Sequence, residues 1–359
     1  MDAGYSSGFT SSGTVHRFIR EALSTRMPDL LSPPQGAQEP ASSTARTGRL
    51  KKWLIWGGMA AFLTWCVLGF RRDIAQIDMG LIGSAWPAIA AAAGLSGFNY
   101  VLRIWRWHWY MSHQGHVLPL RFVALTFMAG FAFTLSPGKL GEMARARYYQ
   151  ARGVPLSAVS GAFFVERILD LLAMILLAFA ALLNADRYRG MIWVAAALVL
   201  ALLMLIALCP WGQVRAWLAD RPKPLPGHGS LTVVVDTMVS SRQLLSPKML
   251  VAGLLLGLVS WGGEAAGLKL VADAMAPGQL PWSGAASAYA VALIAGALSF
   301  LPGGLGSTEA VMAALLMAHG ISAPLAILLT LICRLLTLWL AVVIGWACVW
   351  LLRREPSSF

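Results

Sequence analysis

Phe300-Leu-Pro-Gly-Gly-Leu-Gly-Ser-Thr-Glu-Ala310 puts a helix breaker, three glycines and the ionisable Glu309 inside an otherwise apolar region. Hydrocarbon tolerates broken backbone only where protein or a wet cavity surrounds it, because unpaired N–H and C=O groups there cost several kcal/mol. The same design occurs earlier, as Leu135-Ser-Pro-Gly-Lys-Leu-Gly-Glu-Met143. Both stretches read P-G-x-L-G, followed by an acidic residue and an apolar-rich segment. The register extends downstream, since Gly153 precedes Arg167 by 14 positions and Gly320 precedes Arg334 by the same 14. One copy alone would be weak. Two copies, each with a glycine and an intramembrane arginine in step, indicate an internal repeat.

Working outward, the composition fits a membrane protein. Of 359 residues, 58% are hydrophobic and 12% charged, and mean hydropathy is +0.66. These values exclude an ordinary soluble domain, and apolar runs of about 20 residues are the length a bilayer demands. The formal charge of +12 does not point to nucleic acid, because Arg and Lys sit mostly at the ends of apolar runs and in loops. Cys66, Cys209, Cys333 and Cys348 lie in or beside apolar segments without metal spacing, so no disulfide framework is expected. The polar first fifty residues argue against a cleaved secretory signal.

In chain order, residues 1–49 read as a disordered cytoplasmic tail rich in Ser, Thr, Gly and Pro, with a short basic amphipathic helix conceivable at 16–27. Arg46, Arg49, Lys51 and Lys52 then precede a first span at 53–70 and place the N-terminus in the cytoplasm, although Arg71 and Arg72 beyond it weigh the other way. A second span at 81–102 returns to Arg103-Ile-Trp-Arg-Trp-His-Trp-Tyr110. That basic aromatic run reads as an interfacial belt in which Arg103 and Arg106 contact lipid headgroups. His108, His113 and His116 lack acidic partners and helical spacing throughout, so no metal site is expected.

Residues 120–135 and 142–152 form the arms of a re-entrant hairpin around the first broken motif. The second arm is too short and too rich in Arg145, Arg147 and Arg152 to cross. Spans follow at 163–183 and 191–209, then a long cytoplasmic loop at 211–249, a span at 251–271, a second hairpin with arms at 285–301 and 308–319, and a last span at 324–352. Arg353 and Arg354 mark a cytoplasmic C-terminal tail, residues 353–359.

The fold class expected is an all-α polytopic membrane protein, with about six spanning helices plus two re-entrant helical hairpins in an inverted repeat. The transmembrane domain covers 50–352, with repeat 1 at about 81–183 and repeat 2 at about 250–352. The hairpins enter from opposite sides, so their broken tips can meet near the midplane, where transporters of this architecture bind their substrates. Hairpin arms that crossed fully would make the repeats parallel instead.

Ionisable groups at membrane depth cost roughly 2.5–3.5 kcal/mol each on insertion scales, so Glu142, Glu166, Arg167, Asp170, Glu264, Glu309 and Arg334 must face one another or a wet cavity. Arg167 and Arg334 occupy equivalent repeat positions. They read either as halves of buried ion pairs or as guanidiniums that clamp a phosphate. Glu142 and Glu309 follow glycine turns and serve as caps or as coupling groups, with Ser307 a further cap for the second hairpin. Gly138, Gly141, Gly303, Gly304 and Gly306 bring bare amides close to an anion, and Lys139 adds a charge that the second motif lacks. Glu166 and Asp170 stand one helical turn apart. A membrane-embedded transferase built on them is conceivable, but Arg167 more simply neutralises one of them. No nucleophile elbow, H-E-x-x-H or phosphate loop is present.

At these residues the sequence resembles the lysylphosphatidylglycerol synthase transmembrane-region family, also described as flippase-like. The resemblance rests on S-P-G-K-L-G-E (Ser136–Glu142), E-R-x-x-D (Glu166–Asp170), L-P-G-G-L-G-S-T-E (Leu301–Glu309) and Arg334, and covers roughly residues 50–352. It implies a polytopic inner-membrane protein that moves or handles lipids, among them aminoacylated phospholipids, polyprenyl-linked sugars and hopanoids. No soluble aminoacyl-transferase domain follows the membrane region here, so lysine transfer is not expected. The expected function is to translocate or bind an anionic or isoprenoid lipid across the inner membrane. Its partners are membrane lipids and no nucleic acid, and neither a cofactor nor an enzymatic activity is expected. The alternative is a non-transporting membrane subunit that scaffolds a lipid-biosynthetic or lipid-modifying enzyme.

Overall fold

A computed structural model describes residues 79–179, 189–220 and 228–354, and the regular elements among them are all helical. The expected span at 53–70, the surface helix at 16–27 and Cys66 lie outside the described residues. A short helix α1 (Met79–Ser84) leads into α2 (Trp86–His113) and α3 (Leu120–Phe131). A 3-10 run (Pro137–Arg145) and a short α4 (Ala146–Gln150) return the chain to α5 (Leu156–Phe179). Then come α6 (Arg189–Leu208), α7 (Trp211–Ala219), α8 (His228–Gln243) and α9 (Pro247–Met275). The last third holds α10 (Trp282–Leu298), a tight turn at Pro302–Gly304, α11 (Ser307–Ala318) and α12 (Ala323–Arg334). A π-helical turn (Leu335–Trp339) joins α12 to α13 (Leu340–Arg354).

The long helices α2, α5, α6, α9 and the α12–α13 unit cover the stretches read as the second to sixth spans. Gly190–Leu208, Pro247–Met275 and Ala323–Arg354 are long and apolar enough to cross a membrane. α2 and α5 have the length but carry the charges of the core: Arg103 and Arg106 on one, Glu166, Arg167 and Asp170 on the other. Proline in the first turn starts α2, α9 and α12, where its missing N–H is not needed. α6 turns Trp193, Leu198, Leu200 and Met204 outward, as a helix solvated by lipid does.

The stretch 211–249 departs from expectation. It is not an open loop but two helices, with α8 docked on the start of α5. Gly161 admits the backbone of Ser241, Ser160 Oγ lies 2.7 Å from Thr237 Oγ1, and Ser241 Oγ donates to the Gly161 carbonyl at 3.4 Å. Small and hydroxylated residues let these two helices touch closely without an apolar stripe, which is why hydropathy alone missed α8.

α2 and α9 form the central antiparallel pair, held close by glycines of α9. Gly253 faces Tyr110, Gly257 faces Arg106 and Gly267 faces Ala92, so numbers rise along one helix as they fall along the other. The two hairpins start from opposite ends of this pair. α3 begins just beyond the C-terminus of α2, next to the start of α9. α10 begins just beyond the C-terminus of α9, about 43 Å away at 1.5 Å per residue over its 29 residues. The feet of the second hairpin meet where Gly284 adjoins His319. The two tips touch each other, with Leu135 of the first packed on Gly303 of the second.

The α12–α13 unit closes the first hairpin. Gly345 lies against the backbone of α3, where an added Cβ would collide with the amide nitrogen of Ala132 and come within 2.9 Å of the Met128 carbonyl. Gly345→Ala is therefore expected to destabilise the protein by about 1–3 kcal/mol, the usual penalty of overpacking. Gly94→Ala, with nothing within 4 Å of its Cβ, should stabilise by roughly 0.5–1 kcal/mol through helix propensity. Thermal unfolding in detergent reads both; equal melting of the two variants would remove the crossing from the account.

Candidate functional site

Where the hairpin tips meet the middle of α5 and α9, the charged residues gather. On α2, Ser96, Asn99, Arg103 and Arg106 are all buried, and their spacing of three, four and three residues sets them along one face. Its arginines meet Glu166 and Asp170 of α5, whereas Ser96 and Asn99 meet Glu264 of α9. Glu166 Oε1 lies 3.2 Å from a guanidinium nitrogen of each of Arg103, Arg106 and Arg167, and its Oε2 lies 3.4 Å from Arg145. Asp170 takes Arg106 at 2.6 Å, Arg167 at 3.3 Å and Arg103 at 3.6 Å. Glu142 stands 3.9 Å from Arg167 and accepts a hydrogen bond from Thr134 at 2.9 Å.

Arg103 and Arg106 are thus not headgroup contacts at the membrane surface. They are 5% and 1% exposed and act as internal counterions to α5. Two arginines one turn apart at the end of an apolar run resemble an interfacial anchor, but the acids of α5 outbid lipid phosphate by neutralising them inside the protein. Of that run, Trp105 faces outward, whereas Trp107 and Tyr110 are fully buried, with Trp107 donating to Tyr149 at 2.8 Å.

Arg145 also belongs to this buried cluster, although the sequence alone does not single it out. It was read only as a basic marker of a non-crossing arm. Its guanidinium is fully buried, with Cζ 3.8 Å above the Trp107 ring and 4.7 Å from the Phe127 ring. A caged guanidinium gains attraction from the ring quadrupoles as well as from Glu166. An arginine inside a broken motif, beside a helix carrying more acids than bases, was the available signal.

The second motif is simpler. Arg334 donates from Nε to Glu309 at 2.6 Å and from Nη2 to the carbonyl of Gly303 at 2.8 Å. Glu309 in turn accepts the Gly306 amide at 2.6 Å, so one carboxylate caps α11 and fixes the arginine. Ser307 does not cap the helix. It is the first helical residue, and its hydroxyl donates to the Gly304 carbonyl and to Ser299. Glu142 is no cap either, since it lies within a 3-10 run.

Glycine is required at the tips for two distinct reasons. Gly303, Gly304 and Gly306 have φ of 62°, 68° and 86°, a region glycine enters without penalty. Gly141 instead has no room, because a Cβ there would strike the Phe133 carbonyl. The turn amides are not idle, however. Gly141 N donates to Ser136 Oγ at 2.6 Å, Gly304 N to the Leu301 carbonyl at 2.9 Å, and Gly306 N to Glu309. These three amides close the turns themselves rather than waiting for an anion. Gly138 lies in the same 3-10 run.

Between the tips and α9 lies a cavity of about 240 Å3. Lys139, Arg167 and Asp170 line it from the first half, Gly303, Gly304 and Arg334 from the second, and Trp261 from α9. A smaller chamber of about 40 Å3 adjoins it, lined by Lys139, Arg103, Glu264 and Arg334. Glu264, buried on α9, is held by Ser96 Oγ at 2.8 Å and Asn99 Nδ2 at 2.6 Å. Arg167 and Arg334, each 14 positions after a glycine, therefore border one space. Leu301, which lines it, is 45% exposed, and the neighbouring Phe300 is 70% exposed. The lining thus combines three cationic side chains and one carboxylate with apolar residues.

A family model described as the lysylphosphatidylglycerol synthase TM region matches residues 53–345 of this chain. No curated protein matches it.

The load on Glu166 gives a direct test. Glu166→Gln removes the carboxylate that four arginines share and is expected to destabilise the fold by roughly 3–5 kcal/mol, as breaking a buried pair does. Glu309→Gln, at a partly exposed pair, should cost clearly less. Thermal unfolding of both variants in detergent measures the difference; a Glu166→Gln protein that melts like the parent would deny the network its structural role.

Proposed function

We propose, because the chain belongs to the lysylphosphatidylglycerol synthase TM region family, that this membrane protein with a lipid-related role binds an anionic or isoprenoid lipid and carries it across the inner membrane. The lipid phosphate sits in the 240 Å3 cavity among Arg167, Arg334 and Lys139. Its chains rest outside, against Leu301 and Phe300. The observation that carries this reading is the convergence of Lys139 of the first broken motif, Arg167 of α5 and Arg334 of α12 on one cavity with an apolar mouth. A cavity of that size admits a headgroup rather than a whole lipid. No covalent chemistry is proposed for the site, since every carboxylate near it is engaged by arginine or by hydrogen-bond donors.

In the proposed topology the two halves form an inverted repeat, 81–183 and 250–352, with re-entrant hairpins. Hairpin feet at opposite ends of the α2–α9 pair and tips in mutual contact support it. Arg121, Arg147, Arg152, Lys248, Arg353 and Arg354 cluster at the end where the first hairpin begins, whereas the described turns at 276–281 and 319–322 hold neither Arg nor Lys. By the positive-inside bias the first end, with the C-terminus, is cytoplasmic.

Proteoliposomes containing this chain alone should move a fluorescent anionic phospholipid between leaflets. Arg334→Gln should stop that movement while the protein still melts cooperatively. Binding without movement would instead favour a scaffold for a lipid-modifying enzyme. A folded, fully active Arg334→Gln would remove Arg334 from the site. For topology, Cys introduced at Gln150 and at Gln279, both exposed, should label from opposite faces of sealed vesicles; labelling from one face rejects the inverted arrangement.

A further inference from the structure

Glu264 differs from the other acids of the core. Glu166, Asp170 and Glu309 each lie within hydrogen-bond reach of an arginine, and Glu142 stands 3.9 Å from Arg167. Glu264, 3% exposed on α9, forms no ion pair among the described residues. Its two partners are uncharged: Ser96 Oγ donates to one carboxylate oxygen at 2.8 Å and Asn99 Nδ2 to the other at 2.6 Å. A hydroxyl and a primary amide each hold both a donor and an acceptor, so they can serve a carboxylate or a carboxylic acid; a guanidinium, which only donates, serves the anion alone. Asn99 Oδ1 is moreover buried without a hydrogen-bond partner, a state few buried polar atoms are left in. A half-turn of that amide exchanges its donor for this idle acceptor.

The groups around Glu264 tie its charge to the larger cavity. In the 40 Å3 chamber it is joined by Lys139 and Glu142 of the first tip, Tyr100 and Arg103 of α2, Tyr289 of α10 and Arg334 of α12. Cys333 of α12 lines a separate void of about 10 Å3 with it. Arg103 is taken by Glu166 and Asp170, Glu142 by Thr134, and the Tyr100 hydroxyl by the Thr337 carbonyl. Lys139 and Arg334 border the 240 Å3 cavity as well as the chamber. An ionised Glu264 is therefore a counter-charge to two cations that also face the cavity, and in a poorly screened interior it repels an entering anion. A proton on Glu264 removes that repulsion.

We infer that Glu264 is a proton-binding site coupled to the cavity: a proton from solvent bonds to one of its carboxylate oxygens as an anionic headgroup enters, and returns to solvent when the headgroup leaves. This rests on reading the cavity as a lipid phosphate site. Lys139 and Arg334 exchange a counter-charge on the protein for one on the lipid, and Asn99, its amide turned, accepts from the new carboxyl O–H. The O–H bond is the one covalent bond made or broken. The chamber is polar and large enough for ordered water, which gives the proton a path. The coupling is reciprocal, because a headgroup strengthens proton binding by the same factor that a proton strengthens headgroup binding.

Phosphatidylglycerol, whose phosphodiester stays ionised throughout, is titrated onto the purified full chain in detergent between about pH 5 and about pH 8. Its affinity should rise as the pH falls, by up to about tenfold per pH unit, the limit for one linked proton. Glu264→Gln keeps the size and hydrogen-bonding groups of the neutral acid, so at every pH it should bind within about twofold of the parent's acid-side affinity. Adding the lipid to weakly buffered parent protein should also turn the solution alkaline, by up to about one proton per lipid bound, and Glu264→Gln should abolish that uptake. The uptake is read on the parent, so it decides even where the variant does not fold. A pH-independent affinity, a pH dependence that Glu264→Gln keeps, or binding without proton uptake would each overturn the coupling while leaving the lipid site in place. A parent protein that binds no phosphatidylglycerol at any pH would overturn the lipid site and the coupling with it.

Discussion

Charge cannot be left unpaired in an apolar interior, and the centre of this protein is arranged around that constraint. Glu166 is the node. Three arginines approach one of its oxygens and a fourth the other, and through them α2, α5 and the first broken motif are tied to one point. Breaking any such buried pair leaves a charge with nothing to answer it, which is far more costly than the pair is favourable. The network therefore specifies one arrangement of the helices more than it deepens their stability. The hairpin tip that carries Glu142 and Arg145 could not shift by a residue without stranding both.

The two tips solve the same backbone problem with different means. The second uses positive-φ glycines and one carboxylate that caps a helix and grips Arg334. The first uses a long 3-10 run, a serine that accepts the Gly141 amide, and a lysine where its counterpart has glycine. Satisfying the turn amides internally leaves side chains as the free polar groups of the tips. The side chains differ between the two tips, so they present unlike groups to the cavity they both line.

Much of this was readable beforehand, and for physical reasons. Apolar runs of membrane length report long helices directly, and a proline-glycine motif inside one reports a break, whatever the rest of the chain does. Arg167 and Arg334, paired in the sequence by their equal spacing from Gly153 and Gly320, line one cavity. Arg103 and Arg106 were misread because their local neighbourhood, arginine among tryptophans, is what an interfacial anchor looks like. Their true partners, Glu166 and Asp170, lie some sixty residues away, and only tertiary packing brings them close. α8 was missed for a related reason. Its contact with α5 is made by serine, threonine and glycine, whose contribution is close approach rather than hydropathy. The amides of the glycine turns were expected to face a ligand, but sequence does not show which donors a turn consumes in closing itself.

The π-helical turn at Leu335–Trp339 has a geometric effect beyond its own five residues. A wider turn advances less angle per residue than an α-helix, so across it the following helix is phase-shifted by about a quarter of a revolution. Arg334 and Gly345, eleven residues apart, would look in nearly the same direction along a regular helix. Here one looks into the cavity and the other onto α3. The last long helix is in this sense two faces spliced out of phase, and a single-residue deletion in the splice would swing the second face away from its partner while leaving the first in place.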